Sequence, residues 1–186
     1  MKNSLIGFSV LYILFFSACK KQEQNQTDPA EENELITAVK LTFIDSLSTD
    51  TVRCKWSQKG GPGTLISVDT IHLKADKTYK GFLEIYDESK IPVYDLTPEI
   101  KFLQNEHRFV YSNTSQGLSI QIADFDAHVP PIELGLIFRA ITTSNVVNAG
   151  NFRIMLKHYT ASSPKTTGIN AGSTDMDVSF PMIILP

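Results

Sequence analysis

Phe152-Arg153-Ile154-Met155-Leu156-Lys157-His158 sets Phe, Ile and Leu on one parity and longer polar or flexible side chains on the other. That period of two belongs to a β-strand with one face buried, because successive side chains leave a strand on opposite sides. The same pattern runs outward in both directions. Met176, Val178, Phe180, Met182 and Ile184 form a closing strand, and Leu118, Ile120 and Ile122 alternate with Ser119 and Gln121. Earlier come Leu35, Val39, Leu41 and Phe43 on one parity, then Val52, Cys54 and Trp56, then Ile66, Val68 and Ile71-His72-Leu73, then Tyr79, Leu83 and Ile85. Leu134 to Ile141 is more uniformly apolar. Gly60-Gly61-Pro62-Gly63, Ala75-Asp76-Lys77, Asn113 to Gly117 and Ala149-Gly150-Asn151 separate these runs with turn chemistry. The expectation is an all-β fold, an antiparallel immunoglobulin-like β-sandwich of about 7–9 strands.

One segment departs from the rule. Leu96 to Glu106 leaves room for a short helix near 97–106, with Thr97 as its cap and Pro98 in its first turn. The spacing of cysteine pair and tryptophan that marks antibody domains is missing, so the likeness is one of architecture. From Glu34 on, about 150 residues suffice for a single core, giving one domain over 34–186. Cys54 shares its parity with Val52 and Trp56 and reads as a core thiol.

The start of the chain follows different rules. Lys2 precedes an apolar stretch from Leu5 to Phe16, and Phe16-Ser17-Ala18-Cys19 ends it, followed by Lys20-Lys21. This resembles a bacterial lipoprotein signal with its lipobox. The resemblance implies that residues 1–18 are removed, that Cys19 is acylated, and that Lys20, in place of Asp, directs the product to the outer membrane. The apolar stretch falls short of the roughly 20 residues that a membrane-crossing helix needs. Residues 19–33 then hold the lipidated cysteine and a polar tether, too poor in apolar surface to offset its ordering entropy. As a coil this tether holds the domain about 20 Å from the lipid on average, on either the periplasmic or the external face. With Cys19 consumed, the mature chain has no second thiol for an internal disulfide.

The body carries further motifs: Glu32 to Thr37, Gly60 to Gly63, Leu83-Glu84-Ile85-Tyr86-Asp87-Glu88-Ser89, Asn105-Glu106-His107, Leu156-Lys157-His158 and Ser173 to Val178. In this order they resemble a functionally unassigned family of bacteroidete-type lipoproteins that accompany TonB-dependent receptors and metal-regulation genes. The resemblance implies an accessory role in nutrient or metal capture beside such a receptor.

The residues themselves offer His107 and His158, each on the inward parity of its strand. Imidazoles with a carboxylate from Glu84, Glu88, Glu106, Asp175 or Asp177 make a plausible zinc set, provided the fold joins distant strands, since no HxH or HExxH spacing is present. A strand-end histidine is equally well satisfied by a backbone carbonyl. Asp124-Phe125-Asp126 resembles a calcium loop without its later ligands and reads instead as a solvated loop between strands. Adjacent or alternate acids such as Asp87-Glu88 and Asp175-x-Asp177 read as solvent-facing. No GxSxG elbow, P-loop or dinucleotide fingerprint occurs, so no enzyme is expected. The whole chain has 17 Lys and Arg against 20 Asp and Glu; loss of Lys2 leaves 16 against 20, a formal charge of −4, which argues against nucleic acid. An adhesive or glycan-binding module is the alternative, with Tyr86, Tyr94, Tyr111 and Tyr159 as surface platforms.

Overall fold

A computed structural model describes residues 35–143 and 148–186; Cys19 and the tether lie outside them. Asn33–Pro186 forms one compact unit. Its strands are β1 (Ala38–Asp45), β2 (Thr51–Ser57), β3 (Ser67–Val68), β4 (Ile71–Lys74), β5 (Thr78–Asp87), β6 (Tyr94–Asp95), β7 (His107–Asn113), β8 (Leu118–Ile122), β9 (Ile137–Thr142), β10 (Asn148–His158) and β11 (Ser173–Leu185). One helix, α1 (Thr97–Phe102), precedes β7, and a 3-10 turn spans Lys165–Thr167. The first sheet runs β3-β2-β1-β5-β9-β8 with β6 appended to β5; the second runs β4-β11-β10-β7. The fold is an all-β sandwich. Its pairings are antiparallel except β4 with β11, where Ile71 meets Met182 in a parallel ladder.

Alternation decides what goes inside. Along β11 the buried positions are Met176, Val178, Phe180, Met182 and Ile184, and along β10 they include Phe152, Ile154 and Leu156. Facing them are Val39, Leu41 and Phe43 of β1, Leu83 and Ile85 of β5, and Phe138 and Ala140 of β9. Each large side chain so buried contributes roughly 1.5–3 kcal/mol. Between the layers, the Phe43 ring lies 5.7 Å from Phe138 and 6.3 Å from Phe152, with Tyr111 4.9 Å from Phe138. Cys54 is buried, its thiol pushed up to about 11 by burial, as a core residue should be.

Several expectations need correction. Eleven strands occur among the described residues, more than expected, because the run from Ile66 to Leu73 is not one strand, β3 joining the first sheet and β4 the second, and because Tyr94–Asp95 adds the short β6 beside β5. The helix ends at Phe102, and Thr97 does not cap it. Its hydroxyl instead accepts the Ile85 N–H at 2.9 Å, while Asp95 Oδ1 accepts the Thr97 N–H at 2.9 Å. Helix α1 is thus fastened to β5 by the residue expected to start it. Tyr159 is 2% exposed and Tyr111 donates its hydroxyl to the Gly135 carbonyl, so neither is a surface platform.

Candidate metal centre

β7 and β10 pair so that His107 stands directly opposite His158. Their rings stack at 5.0 Å with planes 17° apart. Local structure fixes both. His107 follows the turn that closes α1, where Leu103 O accepts the Glu106 N–H at 2.9 Å, and Tyr159 N–H donates to Glu106 O at 2.8 Å beyond the end of β10.

The third member comes from a bulge. Leu156 pairs with Met176 but Lys157 pairs with Thr174, leaving Asp175 as an extra residue on β11. A bulge turns a side chain off its regular parity. Asp175, which alternation would send to solvent beside Asp177, therefore brings Oδ2 to 3.4 Å from His158 Nδ1. Gly172, at φ +73°, allows this approach: a Cβ there would overlap the His158 carbonyl oxygen. Asp175 Oδ1 accepts the Ser173 hydroxyl at 3.1 Å, which orients the carboxylate.

One ligand atom from each of His107, His158 and Asp175 lies within 4.8 Å of the others. Tetrahedral zinc bonded at its usual lengths holds neighbouring ligand atoms about 3.3 Å apart, a contraction within reach of side-chain torsions. His107 is prepared for such a role. Burial, with a smaller contribution from His158, pulls its imidazole down to about 4, so it is neutral at pH 7. Leu103 O lies 3.1 Å from Nδ1 and can only accept, so Nδ1 carries the proton and Nε2 carries the lone pair. The backbone carbonyl and a ligand role, alternatives in the sequence, are geometrically compatible at His107, since the carbonyl engages only Nδ1. Glu106 Oε2 stands 3.9 Å from His158 Nε2, on a side chain 42% exposed, within reach of a fourth position.

The other candidate carboxylates are engaged elsewhere. Glu88 accepts from Lys55 Nζ at 2.6 Å and from the Ser57 hydroxyl at 3.0 Å, Glu84 from the Tyr86 hydroxyl at 3.0 Å, and Asp177 from Arg153 Nε at 2.7 Å. Asp124 and Asp126 are no calcium loop, and Asp126 is not solvated. Asp124 accepts the N–H groups of Gly135 and Leu136 at 2.9 and 3.0 Å. Asp126 accepts from the N–H groups of His128 and Ile132 at 3.0 and 2.8 Å, from His128 Nδ1 at 2.8 Å and from Lys165 Nζ at 2.8 Å. Neither the Asp126 nor the Lys165 side chain has any exposed surface. Lys165 Nζ also donates to Gln104 O at 3.0 Å, tying the 3-10 turn to the segment that leads into His107. Sequence reading missed Lys165, which sits among Pro, Ser and Thr like any loop lysine.

No known protein family, curated protein or solved structure matches this chain.

Proposed function

We propose that this chain is a non-enzymatic outer-membrane lipoprotein, held by acylated Cys19, that binds zinc through His107, His158 and Asp175 and serves nutrient or metal capture beside a TonB-dependent receptor. The convergence of two histidines and a carboxylate from three strand ends carries the reading, because no local spacing obliged them to meet. Three protein ligands leave a coordination position open, which suits a site that must hand its ion onward. The receptor and the anchor enter through the resemblances of the body and of the leader. The adhesive alternative loses two of its four tyrosines to the interior.

Calorimetric titration of zinc into residues 33–186 at pH 7 is expected to give a dissociation constant of about 1 μM or tighter. His107→Ala and His158→Ala should each abolish the heat, and Asp175→Asn should weaken binding by roughly tenfold or more. Thermal melts of each variant separate lost ligation from lost folding. Absence of heat in the wild type would end the metal reading.

The anchor has a separate test: Cys19→Ala should abolish metabolic labelling with radioactive palmitate and leave the precursor uncut. Continued labelling of that variant would place the acyl chains elsewhere.

A further inference from the structure

The described chain begins at Leu35, and that pole of the sandwich carries aliphatic side chains that no described residue covers. Leu35 lies against the 58–66 turn, 3.9 Å from where a Cβ at Gly61 would sit. On that turn Leu65 is 93% exposed and Ile66 54%. The 88–93 loop adds Ile91 at 100% and Val93 at 52%. The two loops are neighbours, since Lys59 and Val93 line one shared cleft with Ser67 and Glu88, and Lys59, Lys90, Ile91 and Val93 line the next. Lys59 and Lys90 are exposed, and no carboxylate in the described residues pairs with either. Glu88, the acid between them, is already held by Lys55.

Aliphatic tips interleaved with unpaired lysines match the interface of a phospholipid bilayer, where the tips enter the acyl boundary and the ammonium groups meet phosphates. We propose that this pole is a membrane-docking surface, seating the domain on the phospholipid leaflet with Leu65, Ile66, Ile91 and Val93 inserted and Lys59 and Lys90 on headgroup phosphates. The inference rests on the lipid-anchored reading above. The reason to choose lipid over protein is where the chain enters: the stretch from Cys19 leads to Leu35 on this pole. A tether of that length keeps the pole at an effective concentration on the order of millimolar over the bilayer, so weak intrinsic adsorption suffices.

The test uses the full acylated protein in vesicles of phosphatidylethanolamine and phosphatidylglycerol, some with brominated acyl chains. A fluorophore is placed by cysteine substitution at Leu65, at Ile91, or at Leu47, which is 90% exposed on the turn between β1 and β2 at the opposite pole. Buried Cys54 does not compete for the label. Bromine quenching is expected at least about threefold stronger at residues 65 and 91 than at 47, and Lys59→Glu with Lys90→Glu should cut that difference at least about threefold on anionic vesicles only. Protein that floats with vesicles yet shows equal quenching at all three positions overturns the docking surface and leaves the anchor standing. Protein that does not float overturns the anchor, and this inference with it.

Discussion

Replacing Asp126 by alanine is expected to cost about 3–5 kcal/mol and to lower the melting temperature by roughly 10 °C or more, because it leaves the Lys165 ammonium charged and unexposed. Without Asp126, the remaining acceptor for Lys165 is the Gln104 carbonyl, and the N–H groups of His128 and Ile132 lose theirs as well. Removing the other partner is milder. In Lys165→Met the carboxylate keeps three N–H donors, from His128 backbone, His128 Nδ1 and Ile132, so the loss should be about 2 kcal/mol. The order of the two variants in a thermal melt is the decisive reading: a Lys165→Met loss as large as that of Asp126→Ala would contradict this division. The acid limb follows the same logic. Burial by itself would raise the Asp126 carboxyl, but its hydrogen bonds from Lys165, Ile132 and His128 outweigh that and hold it at about 2 against an ordinary 3.8. Its folded value is depressed, so its stabilisation is present above about pH 4 and is lost as the pH falls through about 2.

Gly81→Ala is expected to cost about 3 kcal/mol, a large effect for one methyl group, because it overpacks the tightest point of the core. Gly81 sits on β5 between Phe43 of β1 and Phe138 of β9. A Cβ there would overlap the Phe138 ring. That ring has no free direction, being enclosed by Phe43, Tyr111 and Phe152 at 5.7, 4.9 and 6.3 Å. Its buried, interdigitated position is what makes the added volume costly. Shrinking the obstacle should compensate: Gly81→Ala with Phe138→Leu is expected to be more stable than the sum of the two single losses implies, measured as a double-mutant cycle in denaturant. A Gly81→Ala melt within about 1 °C of wild type would mean that the ring has room to move.

The sandwich was legible in the alternation of β10 and β11, whose buried residues are those the period of two selects. His107 and His158 were legible as inward residues for the same reason. Their meeting was not, since register between strands so far apart in sequence is set by the whole sheet. Asp175 was named only as one carboxylate among five, and nothing in the sequence singled it out. Its parity matches that of solvent-facing Asp177, and only a one-residue slip in pairing turns it toward His158. Lys165 and Asp126 illustrate the same limit for charge: each reads as a loop residue, and their burial arises where two loops close over one another. Thr97 failed as a cap because β5 offered its hydroxyl a better-placed donor in Ile85. Local preference proposes a partner; tertiary proximity can supply another.

The parallel ladder between β4 and β11 dictates an order of events in folding. β4 occupies Ile71–Lys74, whereas the residues it joins, Met182 to Leu185, lie 111 positions further along the sequence, and Ala75 N–H closes the contact on Leu185 O at 2.6 Å. A loop of that span must be closed before its contacts return any free energy, which slows folding. β1 and β2 can meet early through the short turn between Asp45 and Thr51, but β4 lacks its partner until Met182 to Leu185 are in place. A chain that has not yet delivered Met182 to Leu185 therefore cannot finish its second sheet, and that layer stays pliable until β11 arrives.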